Sequence, residues 1–277
     1  DGESIVYAAQ KLQEYIRRAC SFELPIRRER GDKNIVLGSK HSLDGTMPSE
    51  LEKIEGDGFA VWRHGADVYI SALTNRGLIY GAYDFIEKFL GARFLCADFE
   101  YVPVLNEVNL PKKPYVSNPA IDMRTYLVGG VHDNKADFDH YTRTRTKDVF
   151  TRLPEKYGEK VEVYGRNINH NFHFYVPFEK YGNAHPEFYR PIYVNERPLF
   201  TIDITNGITD DGKIDESMDV SVAKIVLDEM KKDLHKYPDA HIFNFTQEDG
   251  EYYFDDERNR RLEKKYKRSG ILVRFCN

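Results

Sequence analysis

The sequence predicts an α/β protein of two domains. A small α/β sandwich covers residues 1–115, and a partial or truncated (β/α) barrel of the TIM type covers residues 116–277. Three observations predict this. The chain has 277 residues, too many for one small domain and suited to two. Apolar runs of strand character alternate along it with stretches of helical period. Near the end, the run Ile242-Phe243-Asn244-Phe245 leads into Gln247, Glu248 and Asp249. A buried strand that delivers carboxylates at its C-terminal end is how α/β barrels build their sites.

The elements follow in order. Residues 5–20 carry Val6, Ala9, Leu12, Tyr15, Ile16 and Ala19 at helical spacing, with Asp1 or Ser4 available as a cap. Residues 34–38 read as a strand. Residues 58–63 and 68–72 flank His64-Gly65-Ala66-Asp67, a hairpin signal with Gly in the turn. Residues 76–90 form a second helix stopped by Gly91, and residues 93–95 a short strand. A Pro-punctuated connector spans 103–119, which places the domain boundary near residue 115. Beyond it, residues 119–124 lead into a strand, 138–150 into a weak helix, and 161–164 into a second strand. A long loop covers 165–197. Residues 200–206 read as a third strand, 220–235 as the clearest helix of this half, and 258–275 as a final helix. Residues 116–277 fall short of the roughly 250 that a (β/α)₈ barrel takes. A barrel open at one edge would invite self-association.

Composition narrows the function. Apolar residues make up 41% and charged residues 31%, so a sizeable core is expected and disorder is not. The net charge of -5 and a pI near 6.0 argue against nucleic acid as a partner. No stretch is long and apolar enough to span a membrane. Cys20, Cys96 and Cys276 lie far apart, without CxxC or metal spacing, and an odd count excludes a complete disulfide framework. The 19 Tyr and 17 Phe suit stacking on sugar rings, though amphipathic packing accounts for as many. There is no GxxxxGK[ST], GxGxxG or GxSxG, so nucleotide-binding and serine-hydrolase readings fail.

Two resemblances sharpen this. The pattern AAQKLQEYI, ELPI, NIVLG, DGFAVW, VYISA and RGLIYGAYDFIEKFLGARF resembles the small α/β domain that precedes the barrel in α-glucuronidases and β-hexosaminidases. It covers about a third of the chain, and its final segment is specific. That resemblance implies a hexosaminidase-type sandwich, with one strand before the first helix that would lie just ahead of this chain. The second half, through HxFxxxxPxEKYxxxHPEFY, a strand ending in Thr-Asn, Tyr237-Pro238-Asp239-Ala240, a Gln-x-Asp strand end and SGILVRFCN, resembles an uncharacterised bacterial family of glycosidase-like barrels. In that family the region after Gln-x-Asp carries Cys. Here it reads Glu251-Tyr252-Tyr253-Phe254-Asp255-Asp256, which removes any metal role.

The resemblances imply a carbohydrate-active protein, a glycoside hydrolase using carboxylate acid/base chemistry on a polysaccharide or glycan. A non-catalytic carbohydrate-binding protein on the same scaffold is the alternative. Glycoside hydrolysis needs an acid to protonate the leaving oxygen and a second group as nucleophile, base or orienter. In β-hexosaminidases a neighbouring Asp-Glu pair at the fourth strand end does this. Gln247-Glu248-Asp249 lies at the corresponding strand end in a different pattern, so Asp249 is the candidate acid and Glu248 its assistant. Gln247, His170, His173, Asp203 and Asn206 are candidate substrate hydrogen-bonders. Arg124 is another, and would either hold a substrate hydroxyl or carboxylate or pair with a core carboxylate such as Asp203. His170 and His173 would need His185 or Asp203 as a third ligand to bind metal, and they lack an HExxH helix, so no metal and no cofactor is expected. The cluster from Asp249 to Glu257 reads as a solvated acidic turn rather than a calcium loop. The implied compartment is periplasmic or extracellular, with a signal peptide already removed.

Overall fold

The computed structural model describes residues 2–40, 42–43, 48–122, 124, 135–146, 154–158, 163–164, 166, 170–194, 197–238, 240, 242–248 and 254–277. These form a mixed α/β structure of small sheets and seven helices, and among the described residues no closed barrel is present. Two compact units divide the chain, Asp1–Val161 and Glu162–Asn277.

The first unit opens with α1 (Glu3–Cys20). Its apolar stripe Tyr7, Ala8, Leu12, Tyr15, Ile16 and Ala19 is buried, as the 3.6-residue period requires. Ser4 does not cap this helix. It lies inside the first turn, and its hydroxyl donates to the Glu155 carbonyl at 2.7 Å. The main sheet contains β1 (Ile35–Ser39), β2 (Phe59–His64), β3 (Asp67–Ala72) and β6 (Tyr115–Ser117), in the order β1-β3-β2-β6. β1 runs parallel to β3, and the other pairings are antiparallel. The expected hairpin closes with His64 opposite Asp67 and Gly65 at φ +61°, a left-handed turn conformation that glycine adopts without strain. The connector expected over 103–119 is not all connector, because residues 115–117 complete the sheet edge beside β2. Residues 119–122 and Arg124 form no strand. The expected continuation of that strand, 125–130, lies outside the described residues.

Alternation sorts the two faces of the sheet. Phe59, Val61, Val68, Ile70 and Ala72 face α1 and α2 (Asn75–Phe89). Ala60, Trp62 and Tyr69 face the other way, beneath Leu43 and Ile54, and the Trp62 and Tyr69 rings stack at 5.1 Å. The glycines of the Arg76-Gly77-x-x-Tyr80-Gly81 motif explain how α2 lies so close. A Cβ on Gly81 would stand 2.6 Å from Ile70, and one on Gly77 would stand 2.7 Å from the Gly58 carbonyl. Thr74 caps the helix by accepting from the Gly77 amide at 3.0 Å. A hairpin of β4 (Arg93–Cys96) and β5 (Phe99–Tyr101) follows, then α3 (Lys135–Arg143). Glu100 on β5 ties these elements together. It accepts from Tyr15 at 2.6 Å, from Arg143 at 2.7 Å and from Arg18.

The second unit is built from shorter pieces. β7 (Val163–Tyr164) pairs in parallel with β10 (Ile242–Phe243), and the long α6 (Val222–Lys236) precedes β10 in sequence. The stretch expected as one loop, 165–197, contains α4 (Phe172–Tyr175), α5 (Phe178–Tyr181) and β8 (Tyr189–Val194). β8 forms an antiparallel hairpin with β9 (Arg197–Ile202). The expected third barrel strand is therefore the second arm of a hairpin, with only two residues between its arms. α7 (Glu257–Cys276), capped by Asp256, closes the chain and breaks at Lys267, whose φ is +63°. Its kink brings Phe275 onto Phe172 and Phe245, at ring separations of 5.5 and 5.7 Å.

Candidate functional site

The ends of β7 and β10 are held together by side chains, because the strand pairing itself is only two residues long. Asn171, fully buried, continues the ladder that the strands abandon. Its amide N–H donates to the Thr246 carbonyl at 3.0 Å, and its Oδ1 accepts from the Thr246 amide at 2.8 Å. Its Nδ2 donates to the Asn244 carbonyl at 2.7 Å. One short side chain thus satisfies buried backbone groups that would otherwise be stranded. His170, held at φ +51°, donates from Nδ1 to the Gln247 carbonyl at 3.1 Å. His173 grips Glu248 twice, from its backbone N–H at 2.9 Å and its Nδ1 at 2.7 Å, both to Oε1.

The resulting strand end opens on a small cleft continuous with solvent. Its polar lining is Thr201, Asp203, Gln247, Glu248, Asn259, Glu263 and Arg268. Phe172, Ile202, Phe254 and Ile271 supply apolar wall. Asp203 is almost fully buried just beyond β9. Its Oδ1 accepts from the Thr205 amide at 2.9 Å and the Thr205 hydroxyl at 2.7 Å, with Asn259 Nδ2 at 3.4 Å. Burial pushes the Asp203 carboxyl above the ordinary aspartate value, against the opposing pull of Thr205 and Asn259. At the rim, Arg268 donates from Nε to Glu263 at 2.8 Å.

The structure thus gathers Asp203, Gln247 and Glu248 in one cleft, with His170 and His173 supporting the strand end from behind. It places the other candidates elsewhere. Asn206 accepts from the Val222 amide at 3.0 Å and so caps α6 jointly with Ser221. Arg124 belongs to the first unit. It pairs with Asp57 at 3.7 Å rather than with Asp203, and donates to the Arg145, Ile121 and Asp122 carbonyls. Asp249, the candidate acid, lies outside the described residues, as does Glu251. Asp256, from the same acidic run, caps α7. His185 is engaged by Glu187 and stacks on Phe188 at 4.6 Å. Among the described residues, no group of three or more His, Cys, Asp or Glu could hold a metal ion. Sequence reading did not single out Asn259, Glu263 and Arg268, because each reads locally as an ordinary polar residue of a helix. Asn171 carried a signal, a short amide between two His at a strand end.

This α/β protein presents an acidic cleft beside the C-terminal ends of a parallel strand pair. The family model described as a domain of unknown function, DUF4838, matches residues 94–277, well over half the chain, and the chain belongs to that family. A search of curated proteins found no match. No helix among the described residues is long and apolar enough to cross a membrane.

Proposed function

We propose that this chain is a carbohydrate-active protein of glycoside hydrolase type, acting on a polysaccharide or glycan. One observation carries the reading: two carboxyl groups from separate segments, Asp203 after β9 and Glu248 after β10, line one cleft. Their environments differ. Burial disfavours charge on Asp203, whereas two N–H donors of His173 reach Glu248 Oε1. Acid/base cleavage of a glycosidic bond uses two carboxyl groups whose environments differ. In this reading Asp203 is a proton donor beside Asp249, and Glu248 stabilises developing positive charge on the sugar ring.

The finer fold belongs to the same proposal. A parallel pair with a helix ahead of its second strand is the repeating piece of a (β/α) barrel, so the second unit is read as part of one. The first unit, a mixed sheet with α1 and α2 on one face, is read as the hexosaminidase-type sandwich. A polysaccharide substrate implies a periplasmic or extracellular location.

The test is hydrolysis of a glycan panel by wild type, Glu248→Gln, Asp203→Asn and Asp249→Asn. Each change is expected to lower kcat by about 10²-fold or more. The engagement of Glu248 by His173 favours a second reading, a binding protein without turnover. Glycan binding with no hydrolysis by wild type would establish that reading and sink the enzyme.

A further inference from the structure

The charges of the cleft bear on which sugar it takes, an inference that rests on the proposed carbohydrate site. Four charged or chargeable side chains line it: Asp203, Glu248, Glu263 and Arg268. The single cation is already matched, because Arg268 Nε donates to Glu263 Oε1 at 2.8 Å. His173 touches Glu248 through N–H groups, and that contact supplies hydrogen bonds to only one of the two carboxylate oxygens. Once the rim pair cancels, the described lining holds two carboxyl groups and no unmatched positive charge. Gln247 and Asn259 add amides, which pair with hydroxyls as readily as with anything charged.

We propose that this cleft takes an uncharged or amino-bearing glycosyl unit and rejects acidic sugars. A uronate carboxylate entering it meets like charge on Glu248 at close range, in a partly desolvated wall where screening is weak. A hexose carries no such cost, and an ammonium group gains from the same field. Specificity of this kind comes from repulsion built against the wrong ligand.

The experiment is calorimetric titration of the intact chain with three oligosaccharides of one linkage, differing only in a hexose, hexosamine or hexuronate unit. The hexuronate is expected to bind at least tenfold more weakly than the hexose, with the gap narrowing as salt rises. Glu263→Gln removes a negative charge from the rim and is expected to raise the hexuronate-to-hexose affinity ratio about tenfold, and Arg268→Gln removes a positive one and is expected to lower it. Opposite shifts from two neighbouring rim residues are not what misfolding produces. Hexuronate binding as tight as hexose binding overturns this inference and leaves the carbohydrate site standing. Binding of none of the three overturns both.

Discussion

The two units of this chain solve the same problem with different materials. In Asp1–Val161 the sheet and its two long helices meet through apolar side chains, from Leu12 and Ile16 on α1 to Ile79 and Ile86 on α2. In Glu162–Asn277 the parallel pair β7–β10 is only two residues long, and at its end polar side chains take over what a ladder would do. Asn171 bridges to Asn244 and Thr246, His173 to Glu248, and Asp203 to Thr205 and Asn259. Apolar packing tolerates many substitutions of similar volume, whereas a polar clamp tolerates few. The unit held by clamps is also the unit that carries the candidate site. The groups that fix its backbone line the cleft or stand directly behind it.

Breaking a clamp tests that contrast most directly. Asn171→Ala leaves the buried Thr246 amide and Asn244 carbonyl without their side-chain partner, at a cost of about 3 kcal/mol. The sole tryptophan, Trp62, lies buried in the first unit and reports that unit alone. Calorimetry of Asn171→Ala should show the second unit melting earlier while the Trp62 fluorescence transition stays in place. A shift of the Trp62 transition by the same amount would show that the two units do not unfold separately.

The mirror experiment takes a polar hub of the first unit, Glu100. Burial works against charge on Glu100, yet Tyr15, Arg18 and Arg143 outweigh it and hold the carboxyl below the usual glutamate range. A depressed carboxyl contributes stability above its unfolded value, near 4.3, and loses it as pH falls through the lower folded value. Glu100→Gln should therefore cost about 2 kcal/mol at pH 7, read by Trp62 fluorescence, and progressively less below about pH 4. A deficit unchanged at low pH would mean that hydrogen-bond geometry, rather than charge, makes Glu100 matter.

What could be read from the sequence divides along the same line. The first unit was legible because period and turn chemistry act over a few residues. The stripe from Tyr7 to Ala19 encodes α1, Gly65 encodes the hairpin, and Gly77 with Gly81 permits the close helix. Two of its strands were not read: β6, a three-residue edge whose pairing with β2 leaves no local trace, and β5, the second arm of the β4 hairpin. In the second unit local signals misled. Residues 200–206 look like a barrel strand because period-two patterning is the same for either pairing direction, and nothing in it announces β8 as the partner. The strand end at Gln247 and Glu248 reads as a candidate site from the sequence, and both residues line the cleft together with Asp203. At Asn206 and Arg124 the residue type alone does not separate a capping or ion-pairing role from substrate binding, because both use the same amide and guanidinium groups.

The smallest expected effect is on stability, and its sign distinguishes site from scaffold. A buried carboxyl whose folded pKa is raised favours the fold while protonated, below its unfolded value near 3.9. That contribution is lost as pH rises through the folded value, so at neutral pH the ionised Asp203 is a liability to the fold. Asparagine keeps the Oδ1 that accepts from Thr205 and removes the charge. Asp203→Asn should therefore unfold at the same temperature as wild type at pH 7, or a few degrees higher. The difference should vanish below about pH 4, where wild type is neutral as well. A carboxyl whose charge works against the fold is one whose presence chemistry explains better than stability does. If Asp203→Asn instead melts lower at pH 7 and stays lower at pH 3.5, Asp203 is kept for its contacts with Thr205 and Asn259, and the proton-donor role proposed for it fails.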